Sequence, residues 1–152
     1  MKTVIEEILK EKVFRIGSSA LFVEEICNGI DIVILQEDFD NLPEDIKSGY
    51  ELFHIGNTIN LKLGNSRIGR KIGIDLIICE KREHFDVLKN TIDHFHIMIK
   101  NGLSNVLQER KNRIYFFEAI ANTFSNELEA NRKQSIYLQK KSNEHKKNKG
   151  AK

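Results

Sequence analysis

Apolar positions in the second half of the chain recur every three or four residues. Phe85, Leu88, Ile92, Phe95 and Ile99 fall on one stripe, which predicts an amphipathic helix over 83–100. Asn101-Gly102 is a helix stop. Beyond it Leu103, Leu107, Ile114, Phe117, Ala121, Phe124 and Leu128 resume the spacing, with Arg110 at the one polar position in the seam. A second helix from 103 to about 140 is therefore expected, about 55 Å long at 1.5 Å per residue. Two such helices joined by a tight break form an antiparallel hairpin. A seam of that length outruns its own core, and its near-heptad spacing suggests self-association or a helical partner.

The first half has a different period. Val13, Phe14 and Ile16 make a short β-prone run that stops at Gly17, and 30–35 is a run of β-branched and apolar residues with the composition of a buried strand. Between them Ala20, Leu21, Val23 and Ile26 carry a helical stripe. Ahead of this unit, 3–11 reads as a short amphipathic helix packed on the sheet, with Val4, Ile5, Ile8 and Leu9 on one face. After it, 36–48 is polar, holds the single proline, Pro43, and reads as a loop with one helical turn. A meander is expected at 50–55, 58–63 and 71–79, with turns at Gly56-Asn57 and over 64–70. The fold class is α+β: a small mixed sheet with packed helices over 1–81, a helical hairpin over 82–141, and a disordered basic tail over 142–152.

Composition narrows the setting. With 152 residues, 40% hydrophobic and 30% charged, the chain suits one soluble domain with a real core. No apolar run approaches the roughly 18 residues of a membrane span, and the N-terminus lacks a signal-peptide core, so a cytoplasmic protein with no membrane contact is expected. Cys27 and Cys79 are widely spaced in apolar surroundings and read as buried thiols, with no Cys/His zinc spacing. Charge is uneven. Residues 1–100 hold 13 Lys+Arg against 17 Asp+Glu, a net of −4, whereas 101–152 hold 11 against 5, a net of +6. The segment 132–152 has eight basic residues and one acidic, Glu144. Such a tail supports at most weak, salt-sensitive contact with nucleic acid, since 142–152 has no aromatic residue for stacking.

Chemistry-bearing residues concentrate around the first strand pair. Ser18 stands where an N-cap belongs, so Gly17-Ser18-Ser19 would present free N–H groups to an anion such as a phosphate. Asp31 opens the next strand close to that seat, and a carboxylate facing a phosphate site implies a divalent cation between them. In 72–78 the apolar residues alternate, so Asp75 points away from the face of Ile74 and Leu76. If that strand lies beside the Asp31 strand, both carboxylates reach one site. Otherwise Asp75 is an edge residue or accepts backbone hydrogen bonds. Arg67, Arg70 and Lys71 fall in an expected glycine-containing hairpin tip, either closing over a triphosphate or forming a solvated basic turn. Asp38-Phe39-Asp40 reads as solvated loop. His84, His94 and His96 lack the three- or four-residue spacing of a helical metal pair and read as solvated or partly buried.

These features in this order, Gly17-Ser18, a helix, Asp31 on a strand and Asp75 on a later strand, resemble the core of the minimal polymerase-beta-like nucleotidyltransferases. Their pattern is Gly-Ser, about ten to twelve residues, Asp-x-Asp, then a third carboxylate. The resemblance covers roughly 13–79 and departs at one point. If Asp31 is the second Asp of the pair, the first is Gly29; if it is the first, the second is Val33. It implies Gly17 and Ser18 as nucleotide-binding residues, to which Arg67 and Arg70 of the expected hairpin tip are added as triphosphate contacts, Asp31 and Asp75 as catalytic and Mg2+-binding carboxylates, and a nucleoside triphosphate as ligand. The protein is then a transferase to some acceptor or a degenerate binder, and Glu24 or Glu25 are the nearest substitutes for the missing carboxylate. The alternative, from the long helices and basic tail, is a non-enzymatic homo-oligomeric interaction protein.

Overall fold

The computed structural model describes residues 2–22, 29–56 and 66–150. Helix α1, Val4–Leu9, opens on a capping box: the Thr3 hydroxyl accepts from the Glu6 N–H at 3.3 Å, and the Glu6 carboxylate accepts from the Thr3 N–H at 2.9 Å. Glu6 also receives Nε and Nη2 of Arg15, each at 2.8 Å, which ties the helix to strand β1, Phe14–Ile16. A 3-10 turn, Lys10–Lys12, lies between them. Helix α2, Ser18–Leu21, is a single turn whose N-cap is Gly17, not Ser18, and the chain is extended again at Phe22. The remainder of the expected stripe, Val23 and Ile26, lies outside the described residues, as do Glu24, Glu25 and Cys27.

Strand β2, Ile30–Leu35, leads into two short helices where one turn was expected, α3, Gln36–Asp40, and α4, Glu44–Lys47. Phe39 and Leu42 are buried, and it is these two apolar side chains that fold the polar segment against the sheet. Strands β3, Glu51–Gly56, β4, Ser66–Lys71, and β5, Ile74–Cys79, complete a five-stranded sheet of order β1-β2-β5-β4-β3. The central pair β2 and β5 is parallel and the others are antiparallel. The expected strand at 58–63 lies outside the described residues.

The stretch read as a basic hairpin tip is strand β4, and the turn is the two-residue Ile72-Gly73, with Gly73 at φ +78°. Gly69, taken as turn chemistry, is a packing glycine: a Cβ there would stand 3.3 Å from Leu52 Cδ2 and 3.5 Å from both Ile78 Cδ1 and Leu76 Cβ. Cross-strand neighbours on both sides thus outweigh the turn-like composition of this segment.

Helix α5, Arg82–Lys100, buries Phe85, Leu88, Ile92 and Phe95 as its period requires, and also His84, Val87 and Thr91. His84, expected to be solvated or partly buried, is fully buried, and burial pushes its imidazole below its ordinary pKa. His94 and His96 are exposed. The second long helix is broken in two. Helix α6, Ser104–Gln108, ends at an extended Glu109, and α7 runs from Arg110 to Gly150. Arg113 fixes the joint by donating through Nη1 to the carbonyls of Leu107 at 3.0 Å and Gln108 at 2.7 Å. Helix α7 also continues through most of the stretch predicted to be disordered. Between 142 and 150 the sequence is Ser, Asn, Glu, His and Lys up to the terminal Gly150, with no proline to stop a helix already formed.

Alternation sorts the sheet's side chains onto two faces. Ile5, Ile32, Ile34, Leu76 and Ile78 form one core with Phe39, Leu42 and Tyr50. Ile16, Val33 and Cys79 form the other with Phe85, Leu88, Ile92 and Phe95 of α5 and Leu107 and Ala121 beyond it. Phe95 meets Phe117 of α7 edge-on, ring centroids 5.7 Å apart at 88°. Cys79 is a buried free thiol, its pKa pushed up by burial to about 12. Among the described residues no helix is long and apolar enough to cross a membrane.

Candidate functional site

Residues directly opposite one another on paired strands project from the same face. Register therefore defines a row across the sheet: Ile16 opposite Asp31, Asp31 opposite Asp75, Asp75 opposite Arg70, Arg70 opposite Glu51. The row lies near the N-terminal ends of β2 and β5, on the face of Val33, Ile77 and Cys79, where a polar side chain is otherwise unwelcome. The parallel pairing sets Asp31 beside Asp75, the neighbour relationship left open by the alternation of 72–78.

These two carboxylates stand in a cleft of about 560 Å³ between the sheet and α7. Gly17, Ser18 and Gly29 share its polar side, Arg110 and Arg113 enter from the first turn of α7, and Phe95, Ile114 and Phe117 give it an apolar wall. A smaller cleft of about 310 Å³ opens on the other flank of the same carboxylates, beside the Ile72-Gly73 turn, and is bounded by Arg70 and Lys71.

Gly17 is required at its position for two reasons. Its φ of +69° lies where side-chain-bearing residues are strained, and a Cβ there would come 2.8 Å from Asp31 Oδ2. The glycine turn is thus shaped to admit the Asp31 carboxylate against the backbone. Burial raises the pKa of Asp31, the charge of Asp75 raises it further, and Arg110 opposes both. Asp75 pairs with Arg70 Nε at 2.9 Å, with both side chains substantially exposed. Arg70 also lies over the Phe53 ring, 5.6 Å from its centroid.

The residues singled out from the sequence separate as follows. Gly17, Ser18, Asp31 and Asp75 come together in the main cleft. Arg70 joins them through Asp75, whereas Arg67 pairs in register with Ile78 and so projects from the opposite face. The Asp-x-Asp of 38–40 lies on α3, where Phe39 is buried and Asp40 is exposed. Of the two positions flanking Asp31 in alternation, Val33 is fully buried in the core, while Gly29 lines the cleft. Arg110, Arg113 and the wall of Phe95, Ile114 and Phe117 were not anticipated as site residues. Arg110 had left one trace, an arginine in an otherwise apolar seam.

The cleft thus holds two carboxylates, hard oxygen ligands by type, of which Asp31 is held above its ordinary pKa by burial and by the charge of Asp75. Among the described residues no group of three or more His, Cys, Asp or Glu side chains is placed to hold a metal ion. Comparison with protein-family models, with curated proteins and with solved structures finds no match.

Proposed function

We propose that this is a nucleotidyltransferase-like protein that binds a nucleoside triphosphate with Mg2+ in the cleft between its sheet and α7. The observation that carries the reading is the register pairing of Asp31 with Asp75 in the cleft that Gly17 and Ser18 line. A cation between the carboxylates stabilises the Asp31 charge against burial and against the charge of Asp75, and the phosphates it attracts reach the glycine turn. The apolar wall suits a flat base at the other end of the ligand. On this reading 1–81 is the nucleotidyltransferase-like core and α5 with α7 is the helical hairpin that closes the site, in a cytoplasmic protein. Nucleotidyl transfer needs both the attacking and the leaving oxygen neutralised, so position 29 decides between turnover and binding alone.

The test is thermal unfolding with each of the four ribonucleoside triphosphates, with and without Mg2+ or Mn2+. Ligand at a hundredfold its Kd adds about 2.7 kcal/mol, a shift of several degrees. A shift requiring both metal and triphosphate supports the reading, and none with any combination removes it.

A second reading rests on a separate observation, the reach of α7. Its 41 residues span about 60 Å. A helix of that length suits a second copy or a helical protein, and the basic residues of 132–152 suit weak nucleic-acid contact. Sedimentation of the purified chain, alone and with RNA, tests it.

A further inference from the structure

We infer that the cleft takes one divalent cation, between Asp31 and Asp75, and that the guanidinium of Arg110 supplies the second positive charge against the phosphates of the bound triphosphate. This rests on the nucleotide reading above and adds to it how the charge is balanced.

The argument begins at position 29. Gly29 directly precedes β2 and lines the same cleft as Asp31, so with the strand's alternation continued a side chain at 29 would project on the side of Asp31. Glycine offers nothing there. Two carboxylates then remain, and their charges formally neutralise one divalent cation, which leaves the triphosphate largely uncompensated. Among the described residues no third carboxylate joins these two as a ligand group, so a second cation has no comparable seat.

Protein cations must therefore supply the remainder, and three arginines stand near. Arg70 is engaged with Asp75 at 2.9 Å. Arg113 is engaged with the carbonyls of Leu107 and Gln108. Arg110 is exposed, lines the cleft from the first residue of α7, and among the described residues makes no hydrogen bond or ion pair. Its charge already acts across the cleft on Asp31. A guanidinium offers a planar fork that matches phosphate oxygens, which a hydrated ion does not. Glu118 lines the same cleft two turns further along α7, about 12 Å from Arg110 along the axis, and belongs to no ligand group.

The experiment counts bound Mn2+ by electron paramagnetic resonance in the presence of a non-hydrolysable ATP analogue. Triphosphate and nucleoside affinities are measured in parallel by calorimetry on wild type, Arg110→Ala, Arg110→Lys and Gly29→Asp. Wild type is expected to hold one Mn2+ per complex. Arg110→Ala weakens the triphosphate about tenfold or more and leaves the nucleoside little changed, and Arg110→Lys restores part of the loss. Gly29→Asp raises the count to two. Its Cβ would lie 3.5 Å from the Gly73 carbonyl oxygen, an ordinary contact, and a melting curve checks that it folds. If Gly29→Asp does not fold, the wild-type count and the Arg110 pair decide alone. Two Mn2+ in wild type, or unchanged triphosphate affinity in Arg110→Ala, overturns the inference and leaves nucleotide binding intact. No triphosphate binding to wild type with any cation removes both.

Discussion

Asp31 and Asp75 are direct partners on parallel neighbouring strands, two like charges side by side in a row that Arg70 and Glu51 continue. Burial and the charge of Asp75 both disfavour the ionised form of Asp31, and Arg110 offsets them only in part. Removing one charge should therefore separate stability from binding. Asp31→Asn is expected to raise stability, by roughly 0.5–2 kcal/mol, the range common when a strained site residue is relieved. The same change should weaken Mg2+-dependent triphosphate binding at least about tenfold. Urea unfolding and calorimetry on one preparation check both. A variant less stable than wild type and equal to it in affinity would make Asp31 a structural residue.

Gly17→Ala tests the turn beneath the carboxylate. A side chain at φ +69° is strained, and its Cβ meets Asp31 Oδ2 at 2.8 Å, so the turn or the carboxylate must move. The expected cost is about 1–3 kcal/mol, measured by urea unfolding. Metal-dependent binding should fall with it, because Asp31 is the group displaced.

Phe95 serves the core and the cleft together. It is 1% exposed, meets Phe117 edge-on, and forms part of the apolar wall. Phe95→Ala should cost about 3–5 kcal/mol, and Phe95→Leu considerably less, by thermal or chemical unfolding. In a Phe95→Leu protein that stays folded, the nucleoside part of the ligand should lose affinity before the phosphates do.

Glu6 gives the fold an acid limit far from the cleft. Burial alone would raise its pKa, but the hydrogen bonds from Arg15 and from the Thr3 backbone, with the Arg15 charge, outweigh burial and hold it at about 2 against an ordinary 4.5. Because the folded-state value is the lower one, the stabilisation is complete above about pH 4.5 and is lost as pH falls toward 2. Wild type should lose roughly 1–3 kcal/mol over that window. Glu6→Gln should start lower at neutral pH and show a flatter decline, as followed by melting temperature against pH.

The elements with one dominant period were readable in advance, and those set by their neighbours were not. Helix α5 announces itself through Phe85, Leu88, Ile92 and Phe95, and β2 through its β-branched run, because burial imposes those patterns directly. Alternation gave the direction of Asp75, but only pairing brought it to Asp31, since register between distant segments leaves no local mark. Strand β4 was concealed by glycines and cations whose reason lies in β3 and β5: Gly69 makes room for Leu52, and Arg70 answers Asp75. The length of α7 was misjudged because the charge-rich residues after 141, read as a solvated tail, are compatible with helix once the preceding turns are formed. Arg110 was visible as an anomaly in a seam, without the facing carboxylates that give it a use.

The same helix that begins at the cleft with Arg110 ends some 60 Å away among lysines. A continuous helix resists bending over such a span, so whatever grips the far end acts as a hand on a lever whose short arm is a wall of the cleft. If binding at the far end shifts the tilt of this rod, occupancy at the two ends is linked. If a companion bound at the lysines changes affinity in the cleft by some factor, filling the cleft changes affinity for that companion by the same factor.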